Sequence, residues 1–302
     1  MLTPESGGRL MLALSVPEKR RFAYGLWRYR EDEIDAAVKM LSFARENGID
    51  HFDTADVYGG PNGFGGAERL LGAVRAHAPK LLEGAVLATK IGVEPGTPYN
   101  SSREYLIAAC EGSLSRLRVE RIDLLYIHRP DMLTHPAELA QTLDDLVSSG
   151  KVGAVGVSNF TTTQFDALSR YVKAPIRVHQ VEFSAAHVNP LFDGTLDQAM
   201  AHGTAVAAWS PLAGGRLGGT DTAATPAISR LRETLQRMAE RAGVPPAAVA
   251  LAFLHRHPAP VTPIIGTKNP MRLRDCLKAN DCILSRTDWY AIVEACRGER
   301  MP

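Results

Sequence analysis

An acid and a phenol stand five residues apart in the stretch GIDHFDTADVYGG, where Asp53 ends an apolar run and Tyr58 follows among small and polar residues. A phenol can donate or accept a proton, and a nearby carboxylate alters the local charge. Asp and Gly are also ordinary turn formers, so the stretch taken alone fits a simple turn. Whether the stretch is a simple turn or part of a site depends on which residues from the rest of the chain lie near it.

A lysine and a histidine occupy equivalent places after two later apolar runs. Lys90 lies in ATKIG and His128 lies in YIHRPD. Each alone says little, because a lone lysine is usually exposed and a lone histidine is usually a hydrogen-bonded core residue. Together with Asp53 and Tyr58 they stand at the same end of three successive predicted strands, where they would converge on one site.

Short apolar runs alternate with helical patterns along the chain. Eight runs rich in Val, Ile and Leu lack strict alternation, which is typical of parallel strands buried on both faces. Eight strands alternating with helices in 302 residues predict a closed (β/α)8 TIM barrel, and we expect one domain over 1–302. A doubly wound open sheet usually carries GxGxxG after its first strand, but this chain has GLWRYR there. The runs are 21–27, 51–55, 86–92, 123–128, 154–159, 177–183, 205–210 and 261–267.

The segments between the runs predict amphipathic helices. Ser101 and Ser102 before one segment are an N-cap signal, and Pro245 and Pro246 suit the first turn of another. The predicted helices are 31–47, 101–117, 137–149, 161–171, 227–242 and 246–256, with one or two more in 270–298.

Composition narrows the classes of function. Apolar residues make up 45% of the chain and the net charge is +1, without a basic stripe, so we expect neither a nucleic-acid partner nor a membrane partner. We read no signal peptide at the N-terminus and no membrane-spanning run. The four cysteines form no CxxC pair and have no metal-ligand spacing, which predicts a reduced, cytoplasmic protein without a metal site.

At this point the chain resembles the aldo-keto reductases, from about residue 21 to residue 280. The matching segments, in order, are GIDHFDTADVYGG, ATKIG, DLLYIHRPD, GKVGAVGVSNF, QVEFS, WSPLAGG and PIIGTKNPMRLR. The resemblance implies reduction of an aldehyde or ketone with a nicotinamide cofactor. It is strongest for bacterial members with compact loops.

The resemblance also assigns catalytic roles. It implies that Tyr58 donates a proton to the carbonyl oxygen, that Lys90 lowers the pKa of the phenol, and that Asp53 keeps Lys90 charged and oriented. It implies that His128 hydrogen-bonds the carbonyl oxygen and shares its developing charge. Tyr58 and His128 would therefore also contact the substrate.

Cofactor contacts follow by the same matching. The carboxamide of the nicotinamide is expected at Ser158, Asn159 and Gln180, and an aromatic stacking partner at Trp209. The chain has cationic and hydroxyl side chains where the adenosine 2′-phosphate is expected, which favours NADPH/NADP+ over NADH as the cofactor. The remaining implied contacts are Gly25 and Trp27 on the first strand, Ser210, Pro211, Leu212 and Gly214 along the pyrophosphate, and Gly266, Thr267, Lys268, Arg272 and Asp275 at the adenosine end.

Three positions depart from the family pattern. Gly266 replaces a basic residue, so Lys268 takes over that role, and Cys276 replaces an asparagine near the adenine. The first strand carries GLWR instead of G-x-G-T-W, so we expect Trp27 and Arg28 to line the substrate pocket. Arg28 would meet either an anionic substrate group or a local acid.

Other functions remain open at this stage. The main alternative is that the chain is a regulatory or sensor protein that binds NADPH with little turnover. A Schiff-base lyase would need a neutral Lys90, which Asp53 opposes. A metal-dependent hydrolase lacks ligand spacing, since H-x-H occurs only at His255 and His257 on a predicted helix end. We expect a small carbonyl compound as substrate, and a monomer or small homo-oligomer.

Overall fold

The structure is a computed structural model that describes residues 22–59, 63–218 and 225–302. Eight strands form a closed barrel in which the order of the strands follows the sequence. Helices alternate with the strands, so the predicted (β/α)8 barrel is confirmed. The strands are β1 (Ala23–Gly25), β2 (His51–Asp53), β3 (Val86–Ile91), β4 (Ile122–Ile127), β5 (Val152–Ser158), β6 (Ile176–Glu182), β7 (Ala205–Trp209) and β8 (Val261–Ile265).

The described residues form ten α-helices. The expected helices are present with shifts of one to three residues at most of their ends, and two helices, Gly66–His77 and Thr195–His202, go beyond the expected set. Both follow a glycine in the left-handed region, Gly65 and Gly194. The helices are α1 (Ile34–Glu46), α2 (Gly66–His77), α3 (Arg103–Leu117), α4 (Pro136–Ser148), α5 (Thr162–Ser169), α6 (Thr195–His202), α7 (Pro226–Ala242), α8 (Pro246–Arg256), α9 (Pro270–Leu277) and α10 (Arg286–Arg297).

Local capping explains several helix starts. The Ser102 side chain accepts a hydrogen bond from the Tyr105 N–H, which confirms the N-cap read from the sequence. Thr161 and Gln164 form a reciprocal capping box at α5. Pro246 occupies the first position of α8, where its missing N–H costs nothing.

The strands in the first half of the chain are parallel and buried. Asp53 pairs in register with Gly25 and Ala88, Lys90 pairs with Tyr126, and the later strands continue this ladder. The C-terminal ends of β2 to β5 therefore meet at one rim, which is where a parallel barrel places its active site.

Contacts within the chain cluster into two compact units. The first unit contains Ala23–Gln180 and the second contains Val181–Pro302, so the boundary falls inside β6. The prediction of one domain over 1–302 remains a prediction.

The C-terminal helix packs within the second unit. The Trp289 indole stacks on the Phe253 ring of α8 with centroids 5.0 Å apart, and its Nε1 donates to the Phe253 carbonyl at 3.0 Å. Arg241 of α7 forms an ion pair with Asp288 of α10. These contacts anchor α10 against α7 and α8.

Candidate active site

The ammonium of Lys90 is fully buried and has three oxygen partners. Its Nζ donates to Asp53 Oδ2 at 2.7 Å, to the Thr54 carbonyl at 2.7 Å and to Tyr58 Oη at 3.4 Å. Burial by itself lowers the pKa of Lys90, but Asp53 and Tyr58 outweigh this and the pKa is raised. Lys90 is therefore charged at neutral pH.

The carboxylate of Asp53 is held at both oxygens. Oδ2 accepts from Lys90, and Oδ1 accepts from Gln180 Nε2 at 2.8 Å. Asp53 is the last residue of β2 and Gln180 lies on β6, so two strands of the barrel orient one carboxylate. We expected the Gln180 amide at the nicotinamide carboxamide, whereas here its Nε2 is bound to Asp53.

A short turn places Tyr58 over the ammonium. The Tyr58 N–H donates to the Ala55 carbonyl at 3.1 Å, and the Tyr58 carbonyl accepts from Ala67 at the start of α2. Burial raises the pKa of the phenol, and Lys90 opposes that effect without overcoming it. We expected Lys90 to lower the pKa of the phenol; it acts in that direction, but the net pKa is raised because burial is the larger effect.

His128 follows β4 and faces the phenol. The rings of Tyr58 and His128 lie edge to face, with centroids 5.8 Å apart. Burial, Lys90 and Arg129 lower the pKa of His128 to about 3. The imidazole is thus neutral at physiological pH, because a second positive charge beside Lys90 is unfavourable.

These four residues form a unit that can deliver a proton. A protonated phenol and a neutral imidazole adjoin a buried ammonium, so a developing negative charge on a nearby oxygen would be stabilised. The charged state of Lys90 opposes its use as a nucleophile, which requires a neutral amine. The arrangement favours acid catalysis over Schiff-base chemistry.

A glycine makes room for an aromatic ring on the strand next to the lysine. Tyr126 is fully buried on β4, and Lys90 Nζ lies 6.0 Å from its ring centroid. A Cβ on Gly156 of β5 would lie 2.7 Å from that ring, closer than real contacts allow. Gly156 therefore leaves room for the Tyr126 ring, which lies in register between Lys90 and Gly156.

The expected nicotinamide contacts lie at the end of β5. Ser158 is buried, and Asn159 adopts a positive φ of 59°. Asn159 Nδ2 donates to Ser158 Oγ at 2.8 Å and to the His128 carbonyl at 3.3 Å. The amide is thus fixed next to His128, with polar groups of the kind that a carboxamide needs.

The loop after β1 carries the expected pocket residues. Gly25 ends β1, Trp27 is 54% exposed, and the Arg28 guanidinium lies 4.5 Å from the centroid of the Trp27 ring. This stacking holds the cation over the indole.

In the second unit, the residues after β7 form a loop with unusual backbone geometry. Trp209 ends β7, and Ser210, Ala213 and Gly214 have φ values of 50°, 52° and 71°. An ideal Cβ on Gly214 would have no atom of the described residues within 4 Å, and the residue is exposed. An exposed backbone of this kind suits a phosphate chain. Pro211 and Leu212, also expected contacts, lie in the same loop.

The segment after β8 leads into the N-terminus of α9. Asn269 caps the helix, with its side chain accepting from the N–H groups of Met271 and Arg272. Lys268 and Arg272 are exposed at this positive end of the helix, which suits an anion. The remaining expected contacts here, Gly266, Thr267 and Asp275, are half-buried.

Cys276, the departure noted near the expected adenine site, is a core residue. It is 3% exposed, and burial raises the pKa of its thiol to about 12. It packs inside the protein and does not offer a polar contact to a base.

Several groups around the site were missed by the sequence analysis. The Thr54 carbonyl binds Lys90 through the backbone, which no residue type reveals. Asp131 anchors the loop after His128 by accepting from the Ser101 and Leu133 N–H groups. Asp56 and Glu68 are fully buried acids beside the site; charged residues on an otherwise apolar helix face or turn are the signal that could have found them.

Two features are absent from the described residues. No group of three His, Cys, Asp or Glu there could hold a metal ion. None of the helices in the described ranges is long and apolar enough to cross a membrane.

Comparison with known proteins adds a family match. The model of the Aldo/keto reductase family matches residues 21–297. The chain is 45% identical over 285 residues to 6-dehydroglucose reductase of Novosphingobium aromaticivorans, covering 93% of this chain and 92% of that protein. It is 30% identical over 287 residues to L-glyceraldehyde 3-phosphate reductase of Escherichia coli, covering 84% and 82%.

A solved structure shares the fold. The glycerol dehydrogenase of Gluconobacter oxydans superposes with a TM-score of 0.82 at 26% sequence identity, covering 95% of this chain and 94% of that one.

Proposed function

This chain belongs to the aldo/keto reductase family, and on that premise we propose that it reduces a small, sugar-derived aldehyde or ketone to the alcohol with NADPH. The observation that carries the proposal is the contact of buried, charged Lys90 with both Asp53 and Tyr58, with neutral His128 alongside. The sugar-derived class is suggested by the names of the two reductases reported above.

The proposed roles follow from the charges of the site. Bound NADPH would supply the hydride to the carbonyl carbon. Tyr58 donates its proton to the carbonyl oxygen, and charged Lys90 stabilises the phenolate that forms. His128, being neutral, orients the carbonyl oxygen by donating a hydrogen bond, so that Tyr58 and not an imidazolium supplies the proton. Asp53 keeps Lys90 in place and protonated.

The chemistry of the proposed cofactor contacts fits a nicotinamide dinucleotide. Ser158, Asn159 and Gln180 offer hydroxyl and amide groups for the carboxamide, and Trp209 offers a ring for stacking. Lys268 and Arg272 at the start of α9 offer cations for the 2′-phosphate, which is the reason for preferring NADPH over NADH.

The free cysteines Cys110, Cys276, Cys282 and Cys296 support the proposal of a cytoplasmic location.

The test is a carbonyl panel with NADPH absorbance as the readout. We expect turnover of 6-dehydroglucose or of glyceraldehyde derivatives, and a fall of roughly 10²–10⁴-fold in kcat/KM for Tyr58→Phe with nearly unchanged NADPH affinity. Tyr171→Phe, a change at an exposed tyrosine, serves as the control. Near-normal turnover by Tyr58→Phe refutes the assignment of the donor. Tight NADPH binding without turnover of any carbonyl supports the sensor alternative instead.

A further inference from the structure

Two residues before Tyr58, the side chain of Asp56 is a fully buried carboxyl group that the proposed mechanism does not use. The residue has no exposed surface, and neither carboxyl oxygen has a side-chain hydrogen-bond partner among the described residues. Its backbone is tied on both sides: its N–H donates to the Lys90 carbonyl at 3.0 Å, and its carbonyl accepts from the Gly65 N–H. The turn that carries Tyr58 is thus attached through Asp56 to both β3 and the start of α2.

The acid next to Asp56 already has a full set of partners. Glu68 of α2 accepts from Thr89 Oγ1 through Oε1 at 2.5 Å and from Arg116 Nε through Oε2 at 2.6 Å. Both Glu68 and Thr89 are fully buried. Glu68 and Arg116 therefore form an ion pair, in which the Arg116 guanidinium binds Glu68 and not Asp56.

Three glycines pack closely against Arg116, two against its side chain and one against its backbone. A Cβ on Gly65 would lie 2.4 Å from Arg116 Cδ, and one on Gly112 would lie 2.8 Å from Arg116 Nη1. A Cβ on Gly72 would lie 2.1 Å from the Arg116 carbonyl oxygen. Larger residues at these places would displace the half-buried Arg116 or separate α2 from α3.

The charges around Asp56 favour its protonated form. Burial raises the pKa of Asp56 to about 8, and the negative charge of Glu68 adds to this, whereas Arg116, the Val57 N–H and Lys90 lower it. From α3, Tyr105 also faces Asp56. A second carboxylate here would lie in the interior without a partner, which is costly.

We propose that Asp56 is a positioning residue: as a neutral, buried acid it keeps the Asp53–Tyr58 turn attached to β3 and α2, and its ionisation moves Tyr58 away from Lys90. An ionised Asp56 is stabilised only by moving toward water. Because its own N–H bonds the Lys90 carbonyl, that movement disturbs the 3.4 Å contact between Lys90 Nζ and Tyr58 Oη. The effect on turnover rests on the proposed reductase function.

The first test is the pH profile of kcat/KM on the alkaline side. The wild-type protein should lose activity with a midpoint near pH 8, about tenfold for each further pH unit. Ionisation of Tyr58 comes later, because burial raises its pKa above the usual value of 10.0. Asp56→Asn keeps a neutral side chain of the same shape, so its profile should lack the limb near pH 8.

The control is Asp32→Asn, which removes one exposed carboxylate from the same unit and should retain the wild-type limb. An Asp56→Asn profile that superposes on the wild-type profile overturns the proposal. So does a profile in which Asp56→Asn is equally inactive at every pH while its Tm matches that of the wild type.

A second measurement needs neither the variant nor turnover. In wild-type protein labelled with ¹³C at the aspartate carboxyl carbons, one NMR signal should titrate near pH 8. If no aspartate signal titrates above about pH 6, Asp56 is not a neutral acid and the proposal is wrong. Absence of turnover with every carbonyl would instead refute the proposed function and leave this titration as the test of Asp56.

Discussion

At the scale of single residues, the site depends on the competition between burial and charge pairing. Lys90 is fully buried and still charged, because Asp53 lies 2.7 Å from its Nζ and Tyr58 adds a third oxygen partner. His128 lies in the same field, and burial together with the charges of Lys90 and Arg129 lowers its pKa to about 3. Similar burial therefore yields one charged and one neutral group.

Removal of the Lys90 charge should strongly impair turnover. In Lys90→Met the phenol loses the cation that stabilises its ionised form, and Asp53 becomes a buried carboxylate without a counter-ion. We expect kcat/KM to fall by roughly 10²–10⁴-fold, measured by steady-state NADPH oxidation. Lys80→Met removes an exposed lysine from the same unit and should behave as wild type. Comparable activity of the two variants would contradict the role of Lys90.

The neutral state of His128 predicts the acid side of the pH profile. Because its pKa is lowered to about 3, the imidazole stays uncharged throughout the working range, and its protonation removes no activity above that value. We expect kcat/KM for carbonyl reduction to be flat between roughly pH 5 and pH 7. The expectation is contradicted if kcat/KM of the wild type falls on the acid side near the ordinary histidine pKa and that of His128→Gln does not. His128 would then be protonated during turnover.

At the scale of elements, strand ends and helix starts present the functional groups. Asp53 ends β2, Lys90 lies near the end of β3, and His128 follows β4, so parallel pairing brings them to one rim. In the second unit, the start of α9 presents Lys268 and Arg272 at its positive end. The loops that follow these strands are held by side chains, such as the loop after β4, which Asp131 anchors.

The start of α9 should determine the choice of cofactor. Replacing Lys268 and Arg272 together by Ala should raise the NADPH dissociation constant by roughly 10–100-fold, because charge-assisted hydrogen bonds to the 2′-phosphate are lost. The NADH dissociation constant should change little; fluorescence titration measures both. The control is Lys278→Ala with Arg286→Ala, which removes two exposed cations from the same unit. An equal loss for both cofactors would disprove the 2′-phosphate role.

At the scale of the whole molecule, the closed barrel carries a buried acid whose protonation is linked to folding. Asp56 has a pKa of about 8 in the folded chain, against a usual value of 3.8. Between these values the folded state holds a proton that the unfolded chain releases. The free energy of unfolding therefore contains a contribution that falls as pH rises from 3.8 to about 8.

Replacing this acid should make the protein less sensitive to alkaline pH. Asp56→Asn removes the linked proton, so the stability of the variant relative to wild type should grow by about 1.4 kcal/mol per pH unit across that interval. Urea unfolding at several pH values measures the difference. Asp32→Asn, an exposed change, should show no such trend. A constant difference between Asp56→Asn and wild type would contradict a raised pKa.

The sequence by itself was sufficient for the architecture and for selecting residues that the fold brings together. Continuous apolar runs alternating with helical periodicity identify parallel strands and a barrel, since these patterns are local consequences of burial. Asp53, Lys90 and His128 stand at strand ends, so the topology alone predicts their meeting. Two helices that follow glycines, α2 and α6, were missed. The eight residues of α6 hold few apolar positions, whereas Leu70, Leu71 and Val74 of α2 recur at helical spacing and could have been recognised.

Only the tertiary structure decided the protonation states and the support behind the site. Whether burial or pairing determines a pKa depends on distances between residues far apart in the chain, as for Tyr58, where burial outweighs the nearby Lys90. Asp56 and the Glu68–Arg116 pair read as ordinary charged residues in the sequence. Their environment arises because glycines let α2 and α3 approach closely, and no local pattern records that approach.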